Sequence, residues 1–254
     1  MPFRRFWRNA IASGVKPSYF ISDVHLGLQE PEIERQKERA LLSFLEHVQS
    51  NAGRLYILGD LFDFWFEYRH VIPKGYHRVL GRLSDLTESG VEVHYLAGNH
   101  DFWVRSYFHE ALGLTVHRDP FAEELGGKRF FYHHGDGLAI RDNGYRILKK
   151  LFRSKINIFL FSLIHPDLGI YLARSWSRMS RAYTSTKNYG EGDGMVEYAV
   201  ARIKEGFDYV VMGHRHEPAS RKVGGGTYIN LGDWITHRTY GVFDGDDFRL
   251  EQWN

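Results

Sequence analysis

The first half of the chain alternates short apolar runs with longer stretches in which apolar residues recur every three or four positions. The short runs have the length of buried strands, and the longer stretches have the spacing of helices that bury one face. In chain order, the predicted strands and helices occupy 18–22, 33–50, 54–58, 76–89, 91–97, 104–112 and 114–117. Strands that alternate with helices in this way predict a sheet with helices packed outside it.

The second half contains three pairs of alternating apolar runs, each interrupted by a glycine-containing turn that predicts a hairpin. Their sequences are FAEELGGKRFFYHH, SRKVGGGTYINLGDW and TYGVFDGDDFRLEQW. A helix at 193–206 and a strand at 208–212 separate the first hairpin from the other two. Residues 141–190 have no strand pattern and predict a helical insertion. The predicted organisation is therefore a basic arm (1–17), a sheet-forming core (18–140 and 191–254) and the insertion (141–190).

Composition narrows the class of protein. The 254 residues include no cysteine, which excludes disulfides and thiolate metal sites. The N-terminal sequence MPFRRFWRNAIASG lacks the apolar core of a signal peptide. The apolar run at 156–164 is shorter than the roughly 20 residues of a membrane-spanning helix. We therefore expect a soluble cytoplasmic protein.

The predicted insertion differs from the rest of the chain in charge. The formal net charge of the chain is +2, but residues 141–190 contain ten Lys or Arg and two Asp, so this segment carries +8 and the remainder −6. Its sequence KINIFLFSLIHPDLGIYL (155–172) is too apolar for a solvated surface. A basic, apolar segment indicates an anionic partner, and we expect a peripheral contact with the cytoplasmic face of the inner membrane.

Two other uses of the insertion remain as alternatives. It is also compatible with a helical segment that only packs on the core, or with a dimer contact. Nucleic acid is not an expected partner, because the positive charge is local and interleaved with long aliphatic side chains rather than spread along a face.

Polar residues follow five of the predicted strands, most of them beside a glycine. In open α/β sheets, ligands bind outside the carboxyl ends of strands, so the five places can converge on one crevice. The residues are Asp23 and His25 in FISDVH, Asp60 and Asp63 in YILGDLFDFW, Asn99, His100 and Asp101 in YLAGNHDFW, His133, His134 and Asp136 in FFYHHGD, and His214 and His216 in VVMGHRH.

These side chains suit a site for two divalent metal ions. Carboxylate, amide and imidazole donors without sulfur favour Mn²⁺, Fe or Zn²⁺. A carboxylate such as Asp60 can bridge two ions, and ions roughly 3.5–4 Å apart are used for displacement at phosphorus. His100 follows a candidate ligand and is predicted to act as a general acid or as a donor to a phosphate oxygen. We expect Asp101 to orient the His100 imidazole.

Each motif alone is also compatible with turn chemistry, because Asp and Gly are favoured where strands end. The same arrangement at five strand ends favours a metal site over five unrelated turns. We interpret His133 as structural and Asp63 as either a ligand or a support for one. The aromatic run FDFWFEY (62–68) is interpreted as core or pocket wall, and Gly232-Asp233 as a structural turn.

With these five blocks in this order, the chain resembles the calcineurin-like metallophosphoesterases over essentially all of its sheet-forming part. The resemblance implies an α/β fold, a four-layer αββα sandwich, with two divalent metal ions, for which we expect Mn²⁺ with Fe or Zn²⁺ as alternatives. One ion would be held by Asp23, His25, Asp60 and His216. The other would be held by Asp60, Asn99, His134 and His214, with Asp60 as the bridge.

Within this family the sequence is similar to the UDP-2,3-diacylglucosamine hydrolases of lipid A biosynthesis. The similar stretches are FISDVHLGLQEP, LYILGDLFDFW, GNHDF, HHGDGLAIRDNGY and RSWSRMSRAYTSTK. The resemblance implies cleavage of the pyrophosphate to UMP and 2,3-diacylglucosamine 1-phosphate, with the insertion as a helical lid over the acyl chains. Besides His100, the substrate contacts would fall on Asp142, Ser180, Thr184 and Lys187.

One difference from those hydrolases is the sequence Asn99-His100-Asp101, where many of them have Asn-Arg-Asp. Asn-His-Asp is typical of the broader family, so a metallophosphoesterase acting on another phosphoester or nucleotide is the alternative function. A non-enzymatic scaffold on the same fold is a third hypothesis, and the presence of His100 and of every candidate ligand counts against it.

Overall fold

The computed structural model describes residues 16–138, 149–173, 175 and 194–254. The strands are β1 (Ser18–Ile21), β2 (Arg54–Leu58), β3 (Glu92–Leu96), β4 (Thr115–His117), β5 (Phe121–Leu125), β6 (Lys128–His133), β7 (Tyr209–Met212), β8 (Pro218–Val223), β9 (Gly226–Leu231), β10 (Thr239–Phe243) and β11 (Phe248–Gln252). The helices with assigned ends are α1 (Pro31–Asn51), α2 (His77–Glu88), α3 (Tyr107–Glu110), α4 (Lys155–Ser162) and α5 (Gly194–Lys204).

The strands form two sheets. The first has the order β11-β10-β1-β2-β3-β4, with β1 to β4 parallel and β10 antiparallel to β1. The second has the order β5-β6-β7-β9-β8, with a parallel centre of β6, β7 and β9. The three predicted hairpins are the antiparallel pairs β5–β6, β8–β9 and β10–β11. Parallel neighbours bring their carboxyl ends to one edge of each sheet.

Alternate side chains of β1 show how the two sheets are layered. Tyr19 and Ile21 pack on the outer face of the first sheet, in a cluster with Leu41 of α1 and Leu83 of α2. Phe20 points the other way, into a cluster between the two sheets. Full burial of an apolar side chain of this size is worth about 1.5–3 kcal/mol, so both faces contribute to stability.

Helix α5 covers the outer face of the second sheet. Met195, Ala199 and Ile203 lie on one side of this helix and pack against Val210 and Met212 of β7. The order of layers is therefore helix, sheet, sheet, helix, which confirms the predicted α/β sandwich.

The predicted helix at 104–112 is shorter in the structure, where α3 spans only Tyr107–Glu110. The reason is a β-bridge between Trp103 and Phe66, which keeps the chain before α3 extended. The bridge brings the segment after His100 beside the 62–68 segment. The sequence pattern did not reveal this long-range pairing.

The described part of the predicted insertion is helical. It comprises helical residues 149–152, α4 and helical residues 166–173. The rest of 141–190, and the predicted arm apart from its last two residues, lie outside the described residues. None of the helices in the described ranges is long and apolar enough to cross a membrane.

Candidate metal centre

The seven candidate ligands lie in turns at the carboxyl ends of neighbouring strands. In the first sheet, these turns follow β1, β2 and β3, and in the second sheet they follow β6 and β7. The two edges face each other, so residues up to 193 positions apart in sequence meet in one cluster. The cluster joins Asp23, His25, Asp60, Asn99, His134, His214 and His216.

One part of the cluster, which we call the first ion site, combines Asp23, His25, Asp60 and His216. His25 Nε2 lies 3.7 Å from Asp23 Oδ1 and 3.6 Å from Asp60 Oδ2. His216 Nε2 lies 3.5 Å from Asp23 Oδ1. These nitrogen and oxygen atoms all point toward the same small space, and their separations suit shared coordination of one cation.

The other part, the second ion site, combines Asp60, Asn99, His134 and His214. His134 Nε2 lies 3.3 Å from Asp60 Oδ2 and 3.0 Å from Asn99 Oδ1. Asp60, His134 and His214 offer donor atoms that lie within 4.8 Å of one another. Because Asp60 Oδ2 faces both His25 and His134, the Asp60 carboxylate lies between the two sites.

The candidate ligands occur in an unusual backbone conformation. Six described non-glycine residues have a positive φ, and only Arg238 among them lies outside the cluster. Left-handed backbone costs an L residue roughly 1–2 kcal/mol, so its concentration here indicates turns constrained by their surroundings. The five residues are Asp23 (53°), His25 (48°), Asp60 (55°), His214 (69°) and His216 (62°).

Two glycines permit the close approach of the turns. A Cβ added to Gly98 would collide with the carboxylate of Asp60, and one added to Gly213 would collide with the carboxylate of Asp23. Both carboxylates are almost fully buried. The glycines before Asn99 and His214 are therefore required by packing against candidate ligands.

Hydrogen bonds on the far side of the imidazoles select which ring nitrogen faces the centre. His134 Nδ1 lies 2.8 Å from the carbonyl oxygen of Leu58, and His216 Nδ1 lies 3.3 Å from Asp233 Oδ2. A histidine that donates from Nδ1 presents the lone pair of Nε2, the form in which it binds metals. The arrangement thus prepares both rings for coordination through Nε2.

Two atoms of the first ion site fit a bound cation better than an empty space. Among the described residues, buried Asp23 Oδ1 and His25 Nε2 have no hydrogen-bond partner. Buried polar atoms are nearly always satisfied, and a cation between these two would satisfy both. The donor set of carboxylate, amide and imidazole also fits a divalent transition metal.

The clustered charges shift the pKa values of the histidines in both directions. Although burial opposes the charged ring, the nearby carboxylates of Asp23, Asp63 and Asp60 raise the pKa of His25 to about 9. Burial is likewise outweighed at His134, where the Asp60 carboxylate raises the pKa to about 10. Burial and the neighbouring His134 lower the pKa of His214 to about 4. A metal ion at this centre must therefore displace protons from two of the rings.

His100 lies at the rim of the centre, and its support differs from our expectation. His100 Nδ1 lies 3.0 Å from the carbonyl oxygen of Asp63. The carboxylate of Asp101 does not orient this ring, so that prediction is wrong. It accepts hydrogen bonds from the Tyr95 hydroxyl and from three backbone N–H groups, those of Asp60, Phe62 and Gly98. Asp101 therefore fixes the turns that carry Asp60 and Asn99.

Sequence reasoning missed one supporting residue. We interpreted Gly232-Asp233 as a structural turn, but Asp233 Oδ2 also contacts the His216 ring. Its Oδ1 accepts the N–H groups of Thr236 and His237 at 2.9 Å each, so the turn itself holds the carboxylate in place. The Gly-Asp pair at the end of β9, a sixth strand end, was the available indication.

Other interpretations agree with the structure. His133 is buried, and its Nδ1 accepts the N–H of Gly135, as expected of a structural residue. Phe62, Trp65 and Phe66 are buried, so the aromatic run is core. Asp63 lies behind the ligands, with Oδ1 3.5 Å from His25 Nδ1.

Comparison with known families decides the class of protein. The calcineurin-like phosphoesterase family matches residues 16–218, which include every candidate ligand. The chain belongs to this family. As a calcineurin-like phosphoesterase, it is a metal-dependent hydrolase of phosphoric esters, in agreement with the sequence-based prediction.

Curated relatives of this phosphoesterase align with most of its length. A protein named UDP-2,3-diacylglucosamine hydrolase from Porphyromonas gingivalis is 35% identical, covering 92% of this chain and 96% of the relative. Proteins of the same name from Hahella chejuensis and Pseudomonas fluorescens are 31% and 35% identical. They cover 92% and 84% of this chain, and 96% and 86% of their own lengths.

The structure describes only one of the predicted substrate contacts of the phosphoesterase. His100 lies beside the candidate ligands, where its ring centroid is 4.8 Å from that of His25. The remaining predicted contacts, Asp142, Ser180, Thr184 and Lys187, lie outside the described residues.

Proposed function

We propose that this phosphoesterase hydrolyses the pyrophosphate of UDP-2,3-diacylglucosamine to UMP and 2,3-diacylglucosamine 1-phosphate, a reaction of lipid A biosynthesis. The relatives that carry this substrate in their names and align with most of the chain support the proposal. The observation that carries it is an exposed apolar helix, α4, that packs on Trp103, three residues after His100. A small water-soluble nucleotide does not require such a surface.

The proposed centre contains two divalent ions, with Mn²⁺ as the expected metal. Asp23, His25 and His216 would hold one ion and Asn99, His134 and His214 the other, with Asp60 shared between them. Divalent ions bound as a pair supply hydroxide from water near neutral pH and neutralise charge on phosphate oxygens. The buried, hydrogen-bonded turns fix the ligands before substrate arrives, so little reorganisation accompanies the reaction.

His100 is proposed to contact a phosphate oxygen of the substrate through Nε2. Burial lowers the pKa of His100 in the unliganded protein, and an anionic pyrophosphate beside the ring would favour its protonated form. The leaving group of this reaction is a phosphate monoester, and its second pKa of about 6 allows it to leave as an anion without being protonated. His100 is therefore more important for neutralising charge than for protonating the leaving oxygen.

The described part of the insertion is attached to the centre on two sides. Lys149 Nζ lies 2.7 Å from Oδ2 of Asp136, two residues after His134. Trp103, three residues after His100, donates from Nε1 to the carbonyl oxygen of Phe152 at 3.0 Å. The Phe161 ring of α4 stacks on Trp103 with centroids 5.1 Å apart. Acyl chains bound by α4 would therefore lie next to the reacting pyrophosphate.

Helix α4 leaves a large apolar surface uncovered. Ile156, Phe159 and Leu163 are 70%, 61% and 68% exposed, and α4 has no buried residue. Burying one such side chain is worth about 1.5–3 kcal/mol, so contact with acyl chains would be favourable. We assign the acyl chains of the substrate to this surface.

The same segment is proposed to contact the anionic cytoplasmic face of the inner membrane. Lys150, Arg153 and Lys155 flank the apolar surface at the start of α4. Each basic residue near an anionic leaflet contributes about 1 kcal/mol to binding. Peripheral attachment at this point would bring the centre to a substrate whose acyl chains lie in the membrane.

The proposal is tested by supplying the Mn²⁺-loaded protein with UDP-2,3-diacylglucosamine in water labelled with oxygen-18. We expect UMP as a product. The family resemblance implies that water attacks the UMP phosphorus, so we assign the attack to that atom and expect the label in UMP rather than in the lipid phosphate. The control substrate is bis(4-nitrophenyl) phosphate, which needs the metal centre but no acyl-binding surface.

The two substrates separate the parts of the proposal. Release of nitrophenol without any UMP would reject the lipid substrate and favour another phosphoester. Label in the lipid phosphate would reject the assigned site of attack. Failure on both substrates with every divalent metal would reject the proposed centre.

A further inference from the structure

A buried charge that the proposed reaction does not use lies directly behind the first ion site. Lys37 of α1 is only 1% exposed. Its Nζ donates to the carbonyl oxygen of His25 at 2.7 Å and lies 3.3 Å from Glu34 Oε2. Removing an ammonium group from water is costly, so its position requires an explanation beyond packing.

The hydrogen bond from Lys37 acts on the backbone of a candidate ligand. The N–H of His25 donates across to Asp60 O at 2.9 Å, and the next N–H, of Leu26, donates to Leu61 O at 2.9 Å. The His25 carbonyl oxygen accepts the N–H of Leu28 at 3.2 Å and, at a shorter distance, the Lys37 ammonium group of α1. Because His25 has a φ of 48°, its turn is held in a strained conformation by donors on both sides.

Glu34 continues the same contact along the turn. Its Oε1 accepts the N–H of Gly27 at 2.9 Å, and its Oε2 accepts the N–H of Gln29 at 3.1 Å. The Lys37–Glu34 pair therefore binds both the carbonyl and the N–H groups of the chain that follows Asp23 and His25. One face of α1 therefore holds the turn that begins at His25 through hydrogen bonds with both residues.

The ammonium group also interacts electrostatically with the carboxylates that support the ligand rings. Asp63 and Asp233 both attract the Lys37 charge. Asp63 contacts His25 Nδ1, and Asp233 contacts His216 Nδ1. Lys37 therefore lies behind two ligands of the first ion site, whereas no hydrogen bond of Lys37 reaches Asn99 or His134 of the second site in the described residues.

A purely structural role explains this arrangement poorly. The same face of α1 continues with Leu41, Leu45 and Val48, all buried in the core. Replacing a whole buried ion pair by well-packed apolar residues is often neutral or stabilising, so packing alone does not require the Lys37–Glu34 pair at this position.

We infer that Lys37 is a positioning residue that shapes the first ion site by holding the His25 turn, with Glu34 as its partner. The inference rests on the proposed assignment of Asp23, His25, Asp60 and His216 to one of two ions. It predicts that loss of the ammonium group weakens one ion and leaves the other bound.

The test is a titration of metal-stripped protein with Mn²⁺, followed by electron paramagnetic resonance. Unbound Mn²⁺ gives the binding constants, and a spin-coupled signal reports a pair of ions at the centre. We expect Lys37→Met to bind one Mn²⁺ as tightly as the wild type and the other at least tenfold more weakly, with loss of the coupled signal. The matched control is Leu41→Ala, which creates a cavity one turn further along α1 and removes no hydrogen bond or ion pair.

Each outcome decides the inference. Two tightly bound ions and an intact coupled signal in Lys37→Met would overturn it, while the proposed two-ion function would stand. Equal losses at both sites in Lys37→Met and Leu41→Ala would also overturn it, because they indicate general destabilisation. A single bound ion in the wild type would instead reject the two-ion function. If Lys37→Met does not fold by circular dichroism, Glu34→Gln decides by the same readout.

Discussion

The metal centre and helix α4 are neighbours with opposite surface properties. In the centre, Asp23, Asp60 and Asp101 are carboxylates with at most 1% exposure, fixed by hydrogen bonds from surrounding turns. Phe159 of α4 and Leu163, which directly follows this helix, are apolar side chains exposed by more than 60%. Each region thus contains the type of residue that a simple globular protein would place in the other.

The difference shows which part of the function the chain completes by itself. The polar side chains of the turns find hydrogen-bond partners within the chain, and in the proposed function metal ions complete the site. The apolar face of α4 has exposed side chains that would gain free energy from contact with another apolar surface. In the proposed function, the core carries the chemistry and the insertion binds the acyl chains of the substrate.

We expect the largest loss of activity from a change in the metal centre. Asp60→Asn removes the shared charge between the two ion sites, and we expect kcat/KM to fall on the order of 10³-fold for both the lipid substrate and bis(4-nitrophenyl) phosphate. Asp85→Asn, on the exposed surface of α2, serves as the control and should retain full activity. Retention of more than a tenth of the activity by Asp60→Asn would show that the carboxylate is not shared by the ions.

Metal binding should depend steeply on pH. In the metal-free protein, the pKa values of about 9 for His25 and about 10 for His134 mean that both rings are positively charged at pH 7, with a proton on each nitrogen. Coordination requires the neutral rings, so full loading should release about two protons, and affinity should fall by up to about 10²-fold for each unit that the pH decreases.

Proton release is measured with an indicator dye in weak buffer as Mn²⁺ is added. His134→Gln is the comparison variant and should release about one proton fewer. Loading of the wild type without any proton release would contradict the assignment of both rings as ligands.

A substitution at His100 should lower reactivity without changing metal binding. His100→Asn should lower kcat by about 10²-fold, because one donor to a phosphate oxygen is lost, while the Mn²⁺ content stays unchanged. The measurement pairs steady-state kinetics with elemental analysis of the same sample. A variant that loses metal together with activity would show that His100 acts as a ligand.

The smallest effect belongs to the insertion and should be selective. Replacing Phe159 and Leu163 together by Ser removes two exposed apolar side chains, and we expect kcat/KM for the lipid substrate to fall about tenfold with no change for bis(4-nitrophenyl) phosphate. Ile33→Ser is the matched control, since Ile33 of α1 is 50% exposed but far in sequence from the insertion. Equal losses on both substrates would indicate a general effect on the core.

The comparison also explains which features the sequence predicted. Strand ends such as that of β3, followed by Gly98 and Asn99, carry their information locally, because an apolar run and a glycine turn determine where the polar residues lie. Parallel pairing then brings the ends together. The candidate ligands and a sheet core with helices outside it were therefore predictable from short motifs and their repetition, whereas the four-layer arrangement was implied by the family resemblance.

Features that depend on tertiary contacts were not predictable. Asp101 neighbours His100 in sequence, yet its carboxylate turns to Tyr95 and the backbone of Asp60. Lys37 appears in the sequence as an ordinary charged helix residue, and only the packing of α1 against the His25 turn reveals its contact. The shortened α3 likewise follows from the long-range bridge between Phe66 and Trp103.

Anomalous diffraction from crystals grown with Mn²⁺ would locate the ions of the proposed centre. We expect two peaks roughly 3.5–4 Å apart. The carboxylate of Asp60 should lie between them, with His25 beside one peak and His134 beside the other. A single peak, or peaks elsewhere on the molecule, would contradict the proposed two-ion centre.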